Sequence, residues 1–91
     1  MVKGTTKSGF EYHLDPAAFT DAEFLEDFVA IRDGNDQFAF FHFLVKLLGA
    51  EQKKALYDHV RTEDGKVPVP ALTAEVAEMM TALGEAAETK N

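Results

Sequence analysis

Phe38-Ala39-Phe40-Phe41-His42-Phe43-Leu44-Val45-Lys46-Leu47-Leu48 is the stretch on which the fold turns. Wound as a helix at roughly 100° per residue, Phe43, Leu47, Phe40, Leu44, Leu48, Phe41, Val45 and Phe38 occupy an arc of about 220°, whereas a surface helix needs an apolar stripe of about 100°. The surplus must be covered by something. Either this is the central helix of the domain, packed from two sides, or part of its phenylalanine face is kept for another protein chain. His42 and Lys46 form its one polar sector.

Asn35 or Asp36 is placed to cap this helix and Gly49 to end it. Upstream, Thr20-Asp21-Ala22-Glu23 reads as a capping box, the Thr20 hydroxyl on an orphan amide and Glu23 reaching back. The helix that follows carries Phe24, Leu25, Phe28, Val29 and Ile31 on its apolar face and closes at Asp33-Gly34. Downstream, Glu51 to Arg61 predicts a shorter helix with Leu56, Tyr57 and Val60 in a narrow stripe, and Thr62-Glu63-Asp64-Gly65 is a turn by chemistry. Pro68 and Pro70 hold the next residues extended, and Pro70 suits the first turn of a last helix. There Leu72, Val76, Met79, Met80 and Leu83 fall at i, i+4, i+7, i+8 and i+11.

Before the first helix, Gly9 to Asp15 alternates, with Phe10, Tyr12 and Leu14 on one side and Glu11 and His13 on the other, the period of a half-buried strand. Its partner is Val2 to Thr6, the extended Lys66 to Val69, or a second copy of the chain. Pro16, lacking a backbone donor, closes it. The expected fold is mainly α, a small bundle of about four helices with a short N-terminal β-strand or hairpin. Residues 1–84 form one helical domain, and 85–91, small and charged, are expected to be a flexible C-terminal tail.

Composition narrows the function. The chain has 91 residues, 46% hydrophobic and 27% charged, enough for one modest core and too small to enclose a deep active site readily. Nine Lys and Arg against sixteen Asp and Glu give a formal net charge of -7, which disfavours nucleic acid and anionic membranes as direct ligands. Without cysteine there are no disulfides, thiolate metal sites or thiol nucleophiles, as fits a reducing cytoplasm. No secretory signal is evident, and Lys46 interrupts the one long apolar run well before the ~20 residues of a membrane span.

The sequence holds few groupings of chemically active residues. His13, His42 and His59 lie on three separate predicted elements with no ligand spacing between them. Asp33, Asn35 and Gln37 resemble the start of a calcium loop, but Phe38 stands where its glycine belongs and Leu44 where its bidentate acid belongs. Ser8, the one serine, has no recognisable base, and the glycines build no phosphate loop. The chain therefore reads as a non-enzyme with no cofactor or metal, acting by apolar contact with another protein. The rival reading is an acidic inhibitor that imitates nucleic acid and blocks a basic host protein.

Several short runs, in order, resemble the small tail assembly chaperones of long-tailed, siphovirus-type bacteriophages. They are Lys7-Ser8-Gly9-Phe10-Glu11-Tyr12 with Asp15, the acidic helix around Asp21 to Leu25, Leu44-Val45-Lys46-Leu47-Leu48-Gly49 with Glu51-Gln52, Leu56 with His59-Val60-Arg61, and Glu63-Asp64-Gly65-Lys66-Val67-Pro68. The likeness spans roughly residues 7–83. It implies a non-enzymatic chaperone, at work in the host cell cytoplasm and not in the mature virion. Such a protein coats the apolar, helical tape measure protein and recruits tail tube protein. It also implies, often, a longer frameshifted form. Self-association is expected separately, through the strand edge or through leftover apolar surface. Thr89-Lys90-Asn91 can be encoded by the A-rich run such a frameshift needs. One departure is the second helix, which opens with Phe38, Phe40, Phe41 and Phe43 where the family often has polar residues or proline. Two surfaces are candidates for the client: Phe38, Phe41 and Val45, or the stripe of Leu72, Val76 and Met79, whichever the monomer leaves uncovered.

Overall fold

The computed structural model describes residues 1–34 and 36–88. Two short strands, β1 (Val2–Thr5) and β2 (Glu11–Leu14), and a 3₁₀ helix (Pro16–Thr20) precede three α-helices, α1 (Ala22–Gly34), α2 (Gln37–Val60) and α3 (Val69–Glu88). The count is three rather than about four, because the phenylalanine helix and the helix expected over Glu51 to Arg61 are one element. Gly49, at φ 78° and ψ 167°, bends α2 at a single residue, so no loop separates the two halves. That backbone region is essentially reserved for glycine.

The strand's partner is the N-terminal segment. β1 and β2 form an antiparallel hairpin in which Val2 faces Leu14, Lys3 faces His13, Gly4 faces Tyr12 and Thr5 faces Glu11. Phe10, Tyr12 and Leu14 are buried and Glu11 and His13 are exposed, as the alternation predicts. The Tyr12 ring lies across Gly4 so closely that a Cβ at Gly4 would collide with it. The outer edge of β2 is occupied at its centre: Gln52 accepts from the His13 amide and donates to the His13 carbonyl, each at 2.9 Å. A side-chain amide thus stands in for a neighbouring strand, which closes this position to edge pairing with a second copy.

The caps are set by aspartates. Asp21 accepts from the amides of Glu23 (2.9 Å) and Phe24 (3.4 Å) to start α1, and Asp36 accepts from Phe38 (3.0 Å) and Ala39 (3.2 Å) to start α2. The box expected at Thr20 is therefore one residue out. Thr20 ends the 3₁₀ helix instead, its hydroxyl donating to the Ala17 carbonyl at 2.6 Å, and Glu23 turns to Lys46 rather than back along its own helix.

The core lies where α1, the hairpin and α3 meet the inner face of α2. Leu14, Phe24, Phe43, Leu44, Leu56, Leu72, Met79 and Leu83 have essentially no exposed surface. Phe24 and Phe28 stack on Phe43 from α1, with centroids 4.6 Å and 6.0 Å away. Of the stripe predicted on α3, Leu72, Val76, Met79 and Leu83 are buried and Met80 is half-buried, and the helix continues past Gly84 to Glu88. Of the tail expected over 85–91, residues 85–88 thus belong to α3 and 89–91 lie outside the described residues. Among the described residues no helix is long and apolar enough to cross a membrane.

Candidate functional site

Burial divides the 220° apolar arc of α2 unequally. Phe43, Leu47, Phe40, Leu44 and Leu48 are buried, and they span about 140° at roughly 100° per residue. The remaining edge of the arc holds Phe41, half-buried, Val45, 47% exposed, and Phe38, 83% exposed. Of the eight phenylalanines, all among the described residues, Phe38 alone is exposed. An aromatic ring left in water forgoes about 1.5–3 kcal/mol that burial would return.

Phe41 does not lie on a flat surface. With Phe40 it forms one wall of a cleft of about 520 Å³ where the end of α1 and the starts of α2 and α3 converge, and Ile31, Val69, Pro70 and Ala74 complete much of its lining. Gln37 also lines it, whereas Phe38 does not; Phe38 lies one turn before Phe41 on the same helix, about 60° round from it. A ring standing in solvent beside an apolar cleft is a surface to which another apolar side chain can dock from two directions.

The second candidate surface is not available. Leu72 (1% exposed), Val76 (5%) and Met79 (0%) are inside the core, because α3 turns this stripe onto the hairpin and α2. Of the first set, Phe38 and Val45 are exposed and Phe41 is half-buried. A further apolar patch was not foreseen: Leu25 and Val29, assigned by periodicity to the inner face of α1, are 38% and 44% exposed. They border a shallow depression with Ala22, Glu26 and Ala30.

Lys46 marks the polar border of the α2 face. Its ammonium lies 3.1 Å from Glu23 and 3.9 Å from Asp21, and the Glu23 hydrogen bond raises its pKa above the ordinary lysine value. Glu23 is largely solvated, so this clip orients α1 against α2 more than it stabilises the fold.

The structure also assembles a polar cluster that spacing could not reveal. Ser8, in the hairpin turn, donates to Glu75 of α3 at 2.8 Å and lies 2.9 Å from Nε2 of His59 at the end of α2. Thr6 donates to the same Glu75 oxygen at 2.8 Å, and the Lys7 amide donates to Glu78 at 2.9 Å. Serine, histidine and carboxylate are thus together, but not as a nucleophile triad, in which the carboxylate orients the imidazole and the imidazole takes the hydroxyl proton. Here the carboxylate and the imidazole both bond the hydroxyl directly. With the serine proton directed to Glu75, Nε2 of His59 is the donor to Ser8. The arrangement ties the hairpin turn to the end of α2 and to the middle of α3. One signal for it was present in the sequence: Glu75 sits three residues from Leu72 and four from Met79, and a carboxylate in an apolar stripe needs polar partners when buried. Among the described residues, no three His, Cys, Asp or Glu side chains are grouped so that they could hold a metal ion.

No protein-family model, curated protein or solved structure matches this chain.

Proposed function

We propose that this chain is a non-enzymatic tail assembly chaperone of a long-tailed bacteriophage that binds the tape measure protein and promotes tail tube assembly. The observation that carries the reading is Phe38, a fully presented aromatic ring on the helix that otherwise forms the core, beside the apolar cleft walled by Phe41. Each Phe38 buried against a client contributes about 1.5–3 kcal/mol, too little to hold a client alone. Many copies on one long apolar helix gain avidity without any single tight contact. The acidic surface keeps such copies soluble before they are loaded.

The resemblance gains some physical sense from the fold. Lys7-Ser8-Gly9 and His59, two of the runs that carry it, meet at the Glu75 cluster, and Gln52 from a third run covers the strand edge. These residues act on the scaffold, leaving Phe38 and Val45 for the client. A nucleic-acid mimic needs an ordered carboxylate array. Here Asp21 and Glu23 are drawn to Lys46, and Asp21 also caps α1.

The deciding experiment is co-expression of this chain with the tape measure protein of the same phage. The tape measure protein is expected to be soluble with the wild-type chain and insoluble with Phe38→Ser. Equal solubility with the variant, or with no chaperone at all, would end this reading.

A further inference from the structure

Beyond the kink at Gly49, the exposed side of α2 changes character. Val45, Lys53, Lys54, Tyr57, Asp58 and Arg61 line an open cleft of about 300 Å³. Three of the nine Lys and Arg residues of this acidic chain therefore border one cleft, against a single carboxylate in its lining. One of the three cations is held over apolar surface, and a second is held by polar partners. The Lys53 ammonium stands 5.1 Å above the Tyr57 ring, and Arg61 bonds the Gly65 carbonyl at 2.9 Å and Asp58 at 3.3 Å. Val45 belongs both to this cleft and to the stripe of Phe38 and Phe41, so the two surfaces are continuous.

We infer that this cleft docks an acidic amphipathic segment of another protein chain, its apolar side chains on Val45 and Tyr57 and its carboxylates on Lys53, Lys54 and Arg61. Charge complementarity selects this occupant. A chain of net charge -7 repels an acidic partner at long range, but at physiological salt screening acts over about 8 Å. A docked segment therefore responds to the cations beside it more than to carboxylates on the far side of the fold. Tyrosine and arginine are also residue types that carry binding energy at protein interfaces. A basic partner would meet three like charges here and gain one carboxylate already bonded to Arg61.

The inference does not depend on the chaperone reading, and its test uses the full chain. The probes are three synthetic amphipathic peptides of about four helical turns, with identical apolar positions and with glutamate, glutamine or lysine elsewhere. They are titrated while backbone amide shifts are followed. The glutamate peptide is expected to bind best, to shift Val45, Lys53 and Tyr57, and to weaken at least about fivefold between roughly 50 and 300 mM salt. Lys53→Glu combined with Lys54→Glu is expected to weaken it about tenfold or more, while Lys3→Glu, a charge reversal at an exposed residue of β1 outside the cleft, leaves it within about twofold. Lys54 is exposed and Lys53 half-buried, and far-UV circular dichroism checks that the double variant stays folded. Equal or tighter binding of the lysine peptide, a footprint elsewhere, or indifference to the double reversal overturns the inference. So does a tighter, overlapping footprint from a single-stranded oligonucleotide. Concentration-dependent shifts at these residues without peptide, abolished by the double variant, would assign the cleft to a second copy and overturn it too.

Discussion

The ring of Phe24 lies 4.6 Å from the ring of Phe43, inclined by 27°, and this stack joins α1 to α2 at the centre of the core. Neither ring has appreciable exposed surface. Five residues before Phe43 on the same helix, Phe38 is 83% exposed. Chemically identical side chains thus serve opposite ends, one holding the fold and one presented outward.

Phe43→Ala is expected to cost about 3–5 kcal/mol, the transfer free energy of the ring plus that of the cavity left behind. Phe38→Ser is expected to change stability by no more than about 0.5 kcal/mol. Urea unfolding followed by circular dichroism separates the two, and a large loss of stability in the Phe38 variant would mean that its ring is packed in solution.

Two glycines in helices call for opposite outcomes on replacement by alanine. Gly49→Ala forces a side chain into φ 78°, ψ 167° and is expected to destabilise by about 1–3 kcal/mol. Gly84 lies inside α3 with no atom near the position a Cβ would take, so Gly84→Ala is expected to stabilise by about 0.5–1 kcal/mol. Thermal melts of the two variants should bracket the wild-type chain.

Removal of Glu75 should loosen the hairpin selectively. Glu75 is 6% exposed and accepts from both Thr6 and Ser8. Glu75→Ala leaves those hydroxyls without their acceptor at an expected cost of about 1–3 kcal/mol. Amide hydrogen exchange should accelerate in β1, β2 and their turn more than in the inner face of α2. A uniform acceleration would mean that the cluster stabilises the whole domain rather than anchoring the hairpin.

The turn after α2 should respond to acid. Asp64 accepts from the Thr62 hydroxyl and from the Lys66 amide, and these bonds, the hydroxyl's first, hold its pKa below the ordinary aspartate value. A carboxyl depressed in the folded state contributes stability above its unfolded pKa and loses it as pH falls through the lower, folded value. Local order in Thr62 to Lys66 is therefore expected to persist through mildly acidic pH and to fade only below the usual aspartate range. A carboxyl-carbon titration of Asp64 by nuclear magnetic resonance measures this, and Asp64→Asn should remove the transition.

What the sequence determined by itself is what depends on near neighbours along the chain. The alternation of Phe10, Tyr12 and Leu14, the stripe of Leu72, Val76, Met79 and Leu83, and the turns at Thr62 to Gly65 follow from strand and helix periodicity and from side-chain bonds within a few residues. The apolar excess of α2 was legible for the same reason. Tertiary structure alone decided how that excess is divided, because α1 covers the Phe43 side while the described residues leave Phe38 83% exposed. It also decided the turn of Leu25 and Val29 toward solvent, and the meeting of Ser8, His59 and Glu75, which stand 51 and 67 residues apart in the chain pairs that bond. Periodicity states which residues share a face of one element. Only the packing of that element against others states whether the face is covered, and it is uncovered surface that a partner can bind.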